Sequence, residues 1–410
     1  MKKNVIMFFV AVFFASCSSS VDETDSANNS TNVDLSQYIS TPCSDFVKFN
    51  TFDSTFLNFL ISKGYDINND SKISCSEALL VTDLNFGNNG YVTNTEGIEQ
   101  LINLKTIKGY IKTCTSTDCV SILNLYNNIN LISITLNETR NYTNNGVNVA
   151  EYGYVKTIVL PNSTSLIKFY SPNTHFDKVL NISTQTNLKI LNLNDSNLSG
   201  ELNLSNCSVL QSINLSLNEL NKIRFSETIN PHLDTLKLGL GNYVASNPYN
   251  VNSNSLTEIS VSTFPNLKYL DLKRNRLKNL DLSANVKISY LNLGYNELLT
   301  LNLQNNTLLN IFNADNNKIS ILNTSSLINL RSFSMINNLL TNIDLSTNTN
   351  LYTVNLNNND LVSLNLKNGK NSFLFKVDAK QNTINCIKID NGFTPNPSNW
   401  LKDISTTYCY

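Results

Sequence analysis

The chain has 410 residues, and its 30 Lys and Arg residues nearly balance its 31 Asp and Glu residues. A net charge of −1 provides no basic surface of the kind that binds nucleic acid, so no nucleic-acid partner is expected. The chain has only two histidines, His175 and His232, no Cys-x-x-Cys pair and no glycine-rich phosphate loop. These absences argue against a zinc site and against enzymatic activity.

Residues 1–16 have the pattern of an export signal, in which two lysines precede an apolar run from Val5 to Phe14. The segment Phe14-Ala15-Ser16-Cys17 resembles a bacterial lipobox. This resemblance implies cleavage before Cys17, lipidation of that cysteine and attachment to a membrane through the lipid anchor. A plain signal peptide that happens to contain a cysteine is the alternative. No other apolar run is long enough to span a bilayer.

Residues 17–40 are polar and lack periodicity, so they are predicted to form a disordered tether. Three acidic residues, Asp22, Glu23 and Asp25, follow the lipobox closely. In some Gram-negative bacteria, acidic residues near the modified cysteine direct lipoproteins to the outer face. We therefore expect a lipoprotein of the bacterial outer membrane that is exposed at the cell surface.

Residues 41–80 are predicted to be a small helical cap. Its apolar residues have helical spacing and a glycine, Gly64, follows as a stop signal. The apolar residues are Phe52, Phe56, Leu57 and Leu60.

An acidic loop follows this helix and has the spacing of an EF-hand calcium loop. The candidate calcium ligands are Asp66, Asn68, Asp70, Lys72 (through its backbone carbonyl) and Glu77. Ser71 occupies the sixth position, where the EF-hand has glycine. The alternative is a polar turn that caps a helix beginning near Ser76. No cofactor other than this calcium ion is expected.

Residues 81–385 carry a repeated pattern of the form Leu-x-x-Leu-x-Leu-x-x-Asn-x-Leu. Its asparagines recur every 21 residues, at Asn275, Asn296, Asn317, Asn338 and Asn359. This pattern resembles the leucine-rich-repeat family, which implies a solenoid with a parallel β-sheet on its concave face. The second half of each coil is too short for a full helix, so extended or 3₁₀ convex segments are expected.

The repeat also predicts the orientation of the side chains. Because Leu-x-Leu has a period of two, the leucines face the inside of the coil and the x residues face solvent. The asparagines lie where the chain turns off the strand, and stacked coils would align them in a ladder. Earlier coils begin at Leu104, Leu131, Leu166, Leu188, Leu210, Leu233 and Leu267, after a degenerate coil near Val81.

Three coils are longer than the others, with inserts at about Tyr110–Cys119, Asn137–Tyr154 and Leu240–Ser255. Each insert follows a predicted concave strand, so all three are expected to project from one edge of the solenoid. They are interpreted as a binding rim or, equally, as tolerated surface loops.

The solvent-facing positions of the later strands are rich in tyrosine and in charged residues, which are favoured at protein-binding hot spots. Ordinary solvated strands carry tyrosine as well, so this cluster alone is ambiguous. The candidate ligand-binding residues are Tyr269, Asp271, Lys273, Arg274, Tyr290, Tyr295, Arg331 and Tyr352.

Residues 386–410, with two cysteines and Trp400, resemble the C-terminal cap of secreted bacterial leucine-rich-repeat proteins, and the N-terminal cap resembles theirs. This resemblance implies disulfides between Cys386 and Cys409 and within the N-terminal cap, between Cys43 and Cys75. Cys114 and Cys119 lie close together in the first insert and are predicted to pair. Cys207 is left over as a free thiol.

At the level of its repeats, the chain resembles internalin-like and adhesin-like surface proteins. We therefore expect a lipid-anchored adhesion protein that binds a protein or a glycan through its concave face and insert loops. The alternative is a structural surface spacer without a specific ligand. A repeat fold does not name a ligand, so the two remain open at this point.

Overall fold

The computed structural model describes residues 54–87, 92, 94–110, 122–136, 141–144, 147–150, 155, 157–174, 176, 180–239 and 253–410. These residues form a solenoid around one long parallel sheet of fourteen strands. In spatial order the strands are Asp83–Asn85, Thr106–Gly109, Ser133–Leu136, Lys168–Tyr170, Ile190–Asn192, Ser212–Asn214, Thr235–Lys237, Tyr269–Asp271, Tyr290–Asn292, Ile311–Asn313, Ser332–Ser334, Thr353–Asn355, Lys376–Asp378 and Trp400–Leu401.

The register of this sheet matches the sequence period. Tyr269 pairs with Tyr290, and Tyr290 pairs with Ile311, so equivalent residues of successive coils lie side by side. The predicted parallel sheet is confirmed, and every predicted coil start lies two residues before a strand of this sheet.

The core lies behind the middle residue of each strand. Leu270, Leu291 and Phe312 are buried, whereas the residues on either side of them in the strand are mostly half-buried or exposed. Each such side chain contributes about 1.5–3 kcal/mol through burial. A single coil has no apolar partner for these side chains, so stacking between coils supplies the burial.

The asparagine ladder is confirmed. Asn296 donates from Nδ2 to the carbonyl oxygens of Leu272 at 3.0 Å and Leu293 at 2.9 Å, and its Oδ1 accepts the Leu277 N–H at 3.0 Å. Each ladder residue therefore joins the turns of two coils. Equivalent bonds are made by Asn275, Asn317, Asn338 and Asn359 and by three residues outside the predicted set, Asn218, Asn254 and Asn382.

The convex half of the coils is extended or 3₁₀, as predicted. Among the described residues, two 3₁₀ segments lie at Ile98–Gln100 and Asn371–Phe373. Short parallel sheets join Ile122–Asn124 to Thr157–Val159, Ser199–Leu204 to Glu219–Phe225, and Asn342–Asp344 to Ser363–Asn365, Cys386–Lys388 and Thr407–Cys409.

A second polar ladder runs through the turns that precede the concave strands, and the sequence analysis missed it. Asn306, for example, donates from Nδ2 to the carbonyls of Leu282 and Asn285. The slot lies three residues before the first buried leucine of each coil, and its polar occupants include Asn128, Gln185, Cys207, Asn285, Asn306 and Asn348.

A helical cap covers the first coils. Its α-helices span Ser54–Ser62 and Cys75–Ala78. Phe56 and Leu60 are fully buried in the solenoid core. Gly64 ends the first helix with φ of +79°, a conformation that glycine adopts without strain. The predicted helix residue Phe52 lies outside the described residues.

The C-terminal end is closed by the last concave strand and the last convex strand. Trp400 is buried, and its indole N–H donates to the carbonyl of Leu374 at 3.0 Å. Phe393 and Tyr408 pack around its ring at 5.1 and 6.3 Å between centroids. Because a buried indole needs an acceptor, the bond to the neighbouring coil fixes Trp400 as a lid.

The second insert contains a β-hairpin, in which strand Asn141–Asn144 pairs antiparallel with strand Val147–Ala150. Only Asn145 and Gly146 separate these strands in the sequence. The sequence analysis did not predict this hairpin, although Asn-Gly is the preferred pair for two-residue hairpin loops. Most of the other two inserts lies outside the described residues.

No helix in the described part of the chain is long and apolar enough to cross a membrane. The predicted signal peptide, Cys17 and the tether lie outside the described residues.

Candidate binding surface

The structure separates the eight predicted ligand-binding residues into three groups. Tyr269, Asp271 and Tyr290 lie on the concave strands themselves. Lys273, Arg274 and Tyr295 follow the ends of those strands, on what we call the exit edge. Arg331 and Tyr352 each precede a strand, on the opposite, entry edge.

The two tyrosines on the strands form a stack. Their ring centroids are 4.0 Å apart and their planes differ by 4°. Lys237 of the preceding strand places its ammonium group 4.9 Å from the centroid of Tyr269. Parallel strands in register hold equivalent side chains about 4.8 Å apart, so tyrosines in the same slot are brought face to face. We call Lys237, Tyr269 and Tyr290 the tyrosine stack.

Burial raises the pKa of the Tyr269 hydroxyl well above its ordinary value, and the nearby Tyr290 and Asp271 raise it further. Tyr269 therefore stays neutral at physiological pH and remains a hydrogen-bond donor. An amphipathic ring with a fixed orientation loses little conformational entropy when it binds a partner.

Asp271 is a buried carboxylate beside the tyrosine stack. Burial raises the pKa of this carboxyl group. The hydrogen bond that Oδ1 accepts from the Lys273 N–H at 3.0 Å, the charge of Lys273, a bond from Asn292 and the charge of Lys237 lower it. The carboxylate packs against Gly239, where any side chain would clash with Oδ1. Sequence reasoning missed Gly239 because nothing near it along the chain signals this contact.

The exit edge carries two residues in an unusual backbone conformation. Arg274 and Tyr295 have φ of +57° and +59°, the left-handed region. The next coils place Asn316, Asn337 and Asn358 in the same slot, and asparagine tolerates this region well. An arginine or tyrosine there costs about 1–2 kcal/mol. Leu217 and Gln381 adopt the same conformation in the corresponding slot of other coils, so what distinguishes Arg274 and Tyr295 is the side chains that they present on adjacent coils.

The two side chains at the exit edge contact each other. The Arg274 guanidinium carbon lies 4.9 Å from the centroid of Tyr295, and the Lys273 ammonium lies 5.6 Å from it. Tyr295 remains 44% exposed. We call Lys273, Arg274 and Tyr295 the exit cluster. It presents positive charge and an aromatic ring to solvent.

The described residues on either side of the third insert, Gly239 and Asn254, lie on the coil that precedes the exit cluster. The described chain stops after Gly239 and resumes before Asn254, which donates to the carbonyls of Leu215 and Leu238 at 2.9 and 2.8 Å. Asn254 and Ser255 were predicted as insert, and this boundary was wrong because Asn254 is a ladder residue. The next ladder residue, Asn275, directly follows Arg274.

The three strands that precede the inserts are not all neighbours in the sheet. The first two inserts follow neighbouring strands, Thr106–Gly109 and Ser133–Leu136. The third insert follows Thr235–Lys237, four strands further along the sheet. Of the three strands that precede the inserts, only Thr235–Lys237 therefore pairs with the strand that carries Tyr269.

The entry edge forms a separate cleft of about 540 Å³. Arg331 lies over Tyr352 with 5.3 Å between the guanidinium carbon and the ring centroid, and Tyr352 stacks on Phe375 at 5.3 Å between centroids. Lys370 lies over Phe373 at 5.4 Å. We call these five residues the entry cluster.

Sequence reasoning found only Arg331 and Tyr352 of this cluster. Phe375 belongs to the same column, but its coil is two residues longer, so the 21-residue period misses it. Phe375 contacts Tyr352 from outside the cleft lining, which otherwise consists of Asn310, Asn329, Thr349, Asn350 and Leu351.

The acidic loop of the N-terminal cap is held by its own carboxylates. Glu77 Oε1 accepts the N–H of Ile67 at 2.7 Å and of Asn68 at 3.2 Å, and Oε2 accepts from the backbone and the hydroxyl of Ser74. The bonds from Ser74, followed by those from Ile67 and Asn68, lower the pKa of Glu77 to about 2. This is a capping box, in which Ser74 also accepts the Glu77 N–H.

The first half of the loop is closed in the same way. Asp66 accepts the N–H groups of Asp70 and Ser71 at 3.2 and 2.9 Å, and Asp70 accepts that of Lys72 at 2.9 Å. No group of three or more His, Cys, Asp or Glu side chains in the described residues could hold a metal. The geometry favours the helix-capping alternative, and calcium binding stays a prediction.

The disulfide between Cys386 and Cys409 is confirmed, with 5.9 Å between the Cα atoms. Cys75 is also in a disulfide, with a partner outside the described residues, so its pairing with Cys43 stays a prediction. Cys114 and Cys119 lie outside the described residues too.

Cys207 is free and buried, and burial raises the pKa of its thiol to about 11. Its thiol donates to the carbonyl of Ile182 at 3.8 Å between sulfur and oxygen. In the same slot of other coils, Asn285 and Asn306 use their Nδ2 donors, while their Oδ1 atoms have no partner among the described residues. The slot thus requires a donor only, which a thiol supplies.

This architecture is similar to that of proteins with solved structures. The functional domain of InlJ from Listeria monocytogenes, which includes a cysteine ladder, matches with a TM-score of 0.58 at 20% identity, covering 87% of this chain and 68% of that one. The fold is a leucine-rich-repeat solenoid.

Two further matches are weaker. A leucine-rich-repeat protein of Leptospira interrogans has a TM-score of 0.43 at 18% identity, covering 77% of this chain and 91% of that one. An internalin, InlF, from Listeria monocytogenes has a TM-score of 0.44 at 16% identity, covering 84% and 96%. Neither a family model nor a curated protein matches the chain. These similarities concern the fold, and any ligand must be argued from the surface of this chain.

Proposed function

We propose that this chain is a lipid-anchored protein of the bacterial outer membrane that binds a partner at the cell surface. The concave surface formed by the tyrosine stack and the exit cluster is the binding site. Attachment through Cys17 follows from the lipobox-like segment. No catalytic step forms part of this proposal.

The observation that carries the proposal is the concentration of unusual features on two adjacent coils. The tyrosine pair, the buried Asp271 and the strained Arg274 and Tyr295 all lie on the coils that begin at residues 267 and 288. The next three coils fill the strained slot with asparagine, whereas Leu217 and Gln381 occupy it in other coils. The proposal therefore depends on the aromatic and charged side chains that these two coils bring together, and not on the backbone strain alone.

The stack favours a protein over a glycan as the partner. One face of Tyr269 is covered by Tyr290 and the ring is also approached by Lys237, so little of its face is free for a sugar ring. Ring edges, a hydroxyl and ammonium groups remain available. These suit side chains and carbonyl groups of a protein surface, where tyrosine and arginine are common hot-spot residues.

The test is a binding experiment with the full chain and a four-residue variant, Tyr269→Ala, Arg274→Ala, Tyr290→Ala and Tyr295→Ala. Biotinylated surface proteins of candidate host cells and a glycan array are the probes. We expect retention of one protein by the wild-type chain and a loss of about tenfold or more in the variant, the effect typical of a hot spot.

The matched control removes an arginine of the convex strand Glu219–Phe225 and the last tyrosine, with Arg224→Ala and Tyr410→Ala, both exposed. Thermal melting of each variant checks folding. Unchanged binding by the folded four-residue variant would refute the concave site.

The spacer alternative predicts that neither the wild-type chain nor any variant retains a protein or glycan. It further predicts that cells expressing the four-residue variant behave like wild type in every adhesion assay. Binding that is lost only in the concave variant excludes the spacer.

A further inference from the structure

We infer that the cleft at the entry edge is a second binding site, which takes an acidic segment of a partner polypeptide. The site consists of the entry cluster, Arg331, Tyr352, Lys370, Phe373 and Phe375, together with the amide and hydroxyl side chains that line the cleft.

The charge of this cleft is one-sided. Arg331 and Lys370 are exposed, and no Asp or Glu is among its lining residues. A nearby carboxylate, Asp390, accepts the N–H groups of Gly369 and Asn371 at 2.8 and 2.9 Å and so holds the loop that carries Lys370. The cleft therefore attracts carboxylates, even though the chain as a whole is nearly neutral.

The cations are held in place before a ligand arrives. Arg331 rests on the ring of Tyr352, which in turn rests on Phe375, and Lys370 rests on Phe373. A guanidinium oriented on an aromatic face is ready to bind a carboxylate with two parallel hydrogen bonds. Prior ordering of these long side chains lowers the entropic cost of binding.

An apolar surface accompanies the charge. Phe373 and Phe375 are 65% and 51% exposed, and Tyr352 is 42% exposed. Exposed aromatic side chains that adjoin one another mark an interaction site when polar residues surround them. The ligand therefore combines carboxylates with apolar side chains. The Nδ2 groups of Asn329 and Asn350 donate to carbonyls of the preceding coil, and their Oδ1 atoms can accept N–H groups of the ligand backbone.

A polypeptide fits this surface better than an acidic sugar. Arg331 and Phe375 both contact the ring of Tyr352, and Lys370 lies over Phe373. The faces that a sugar ring would stack on are thus partly occupied, whereas side chains of an acidic peptide can pack against the ring edges.

This site is independent of the concave site. It lies before the strands of its coils, whereas the exit cluster lies after the strands of earlier coils. A peptide that binds here does not require the tyrosine stack, so failure of one proposal leaves the other standing.

The test measures fluorescence anisotropy of labelled octapeptides with the full chain. The first probe alternates Asp or Glu with Phe or Leu, and the second has the same sequence with Asn and Gln in place of the acids. The third probe is labelled sialyllactose. We expect the acidic peptide to bind about tenfold more tightly than the amide peptide and to lose affinity in high salt.

The variants locate the site. Arg331→Gln with Lys370→Gln should weaken the acidic peptide by about tenfold, and Phe373→Ser should weaken both peptides. Arg276→Gln removes an exposed arginine at the exit edge and is the matched control. The four-residue concave variant should bind the peptide normally. Melting curves that match the wild type confirm that each variant is folded.

Three outcomes would overturn the inference. The first is equal binding of the acidic and amide peptides, and the second is unchanged peptide binding by the folded Arg331→Gln and Lys370→Gln variant. The third is binding of sialyllactose without binding of the acidic peptide, which would assign the cleft to a glycan.

Discussion

The first and second halves of the solenoid stack their coils in different ways. From Leu267 to Leu351 the coils repeat every 21 residues, and the ladder slot holds asparagine from Asn275 as far as Asn382. Earlier coils vary in length, carry the inserts and have mixed residues in the same slot, with Thr174 and Ser196 followed by Asn218 and Asn254.

The difference shows how a repeat is used for two purposes. Strict repetition brings like side chains into register, and the Tyr269–Tyr290 pair, the exit cluster and the contact of Arg331 with Tyr352 lie in the regular half. Variation in the earlier half accommodates extra structure such as the hairpin formed by Asn141–Asn144 and Val147–Ala150. Regular coils thus build extended surfaces, and irregular coils build projections.

The largest expected loss of stability comes from a substitution in the ladder slot of the regular half. Asn317→Ala removes bonds from Nδ2 to the carbonyls of Leu293 and Ala314 and leaves the Leu298 N–H without a partner. The two carbonyls still accept from Asn296 and Asn338, so only the N–H is left unsatisfied. At about 1–3 kcal/mol for that group and about 0.5–1.5 kcal/mol for each lost bond to a carbonyl, the loss should be about 2–6 kcal/mol. Urea unfolding followed by circular dichroism measures it.

The matched change in the irregular half is Ser196→Ala. It removes the hydroxyl bond to the carbonyl of Ser171 at 3.0 Å. The loss should be about 1 kcal/mol. Equal losses for Asn317→Ala and Ser196→Ala would contradict the claim that asparagine in this slot stabilises the solenoid more than serine does.

The next effect concerns the end of the regular half. Replacement of Cys386 and Cys409 together by serine removes the only disulfide whose two cysteines both lie in the described residues. The expected loss is about 2–4 kcal/mol, because the unfolded chain is no longer restricted. Urea unfolding of the double variant under oxidising conditions, with reduced wild type as reference, measures it. A double variant as stable as oxidised wild type would show that Trp400 and its neighbours close the end unaided.

The stability contributed by the N-terminal cap should decrease in acid. The pKa of Glu77 is about 2 in the folded chain and near 4.5 in the unfolded chain. A lowered folded pKa contributes stability that is present above pH 4.5 and is lost as the pH falls towards 2. Melting temperatures across this window should fall more steeply for the wild type than for Glu77→Gln. If the melting temperatures of the two proteins fall in parallel, the Glu77 carboxylate does not stabilise the cap.

A smaller effect is expected at Cys207 in the irregular half. The side chain in this slot must donate a hydrogen bond to a backbone carbonyl, which asparagine can do as well as a thiol. Cys207→Asn should therefore change the free energy of unfolding by less than about 1 kcal/mol. Cys207→Asp has nearly the same shape as the asparagine variant but supplies only acceptors, so it should destabilise the chain by several kcal/mol. The wild-type thiol, with its pKa of about 11, should react slowly with a thiol reagent at about pH 8 until the chain unfolds.

The smallest expected effect is that of calcium. The carboxylates of Asp66 and Glu77 already accept backbone N–H groups, so a capping role predicts no change in melting temperature with millimolar calcium against a chelated control. A rise in melting temperature that Glu77→Gln abolishes would restore the EF-hand interpretation.

Much of the fold could be predicted because the repeat is a local pattern. Alternation placed Leu291 in the core, and the period placed Asn296 in the ladder. The candidate site was harder to predict. Tyr269 and Tyr290 could be paired from their 21-residue separation, but Phe375 lies on a longer coil and its contact with Tyr352 escaped the same arithmetic.

The sequence by itself determined the parallel sheet, the core and the ladder, because each depends on spacing along the chain. Only the tertiary structure decided that Arg274 and Arg331 serve opposite edges of the sheet, that Gly239 makes room for Asp271, and that the Glu77 carboxylate binds the backbone of its own loop. The physical reason is that these contacts join atoms brought together by stacking and turning of the chain, which no single segment encodes.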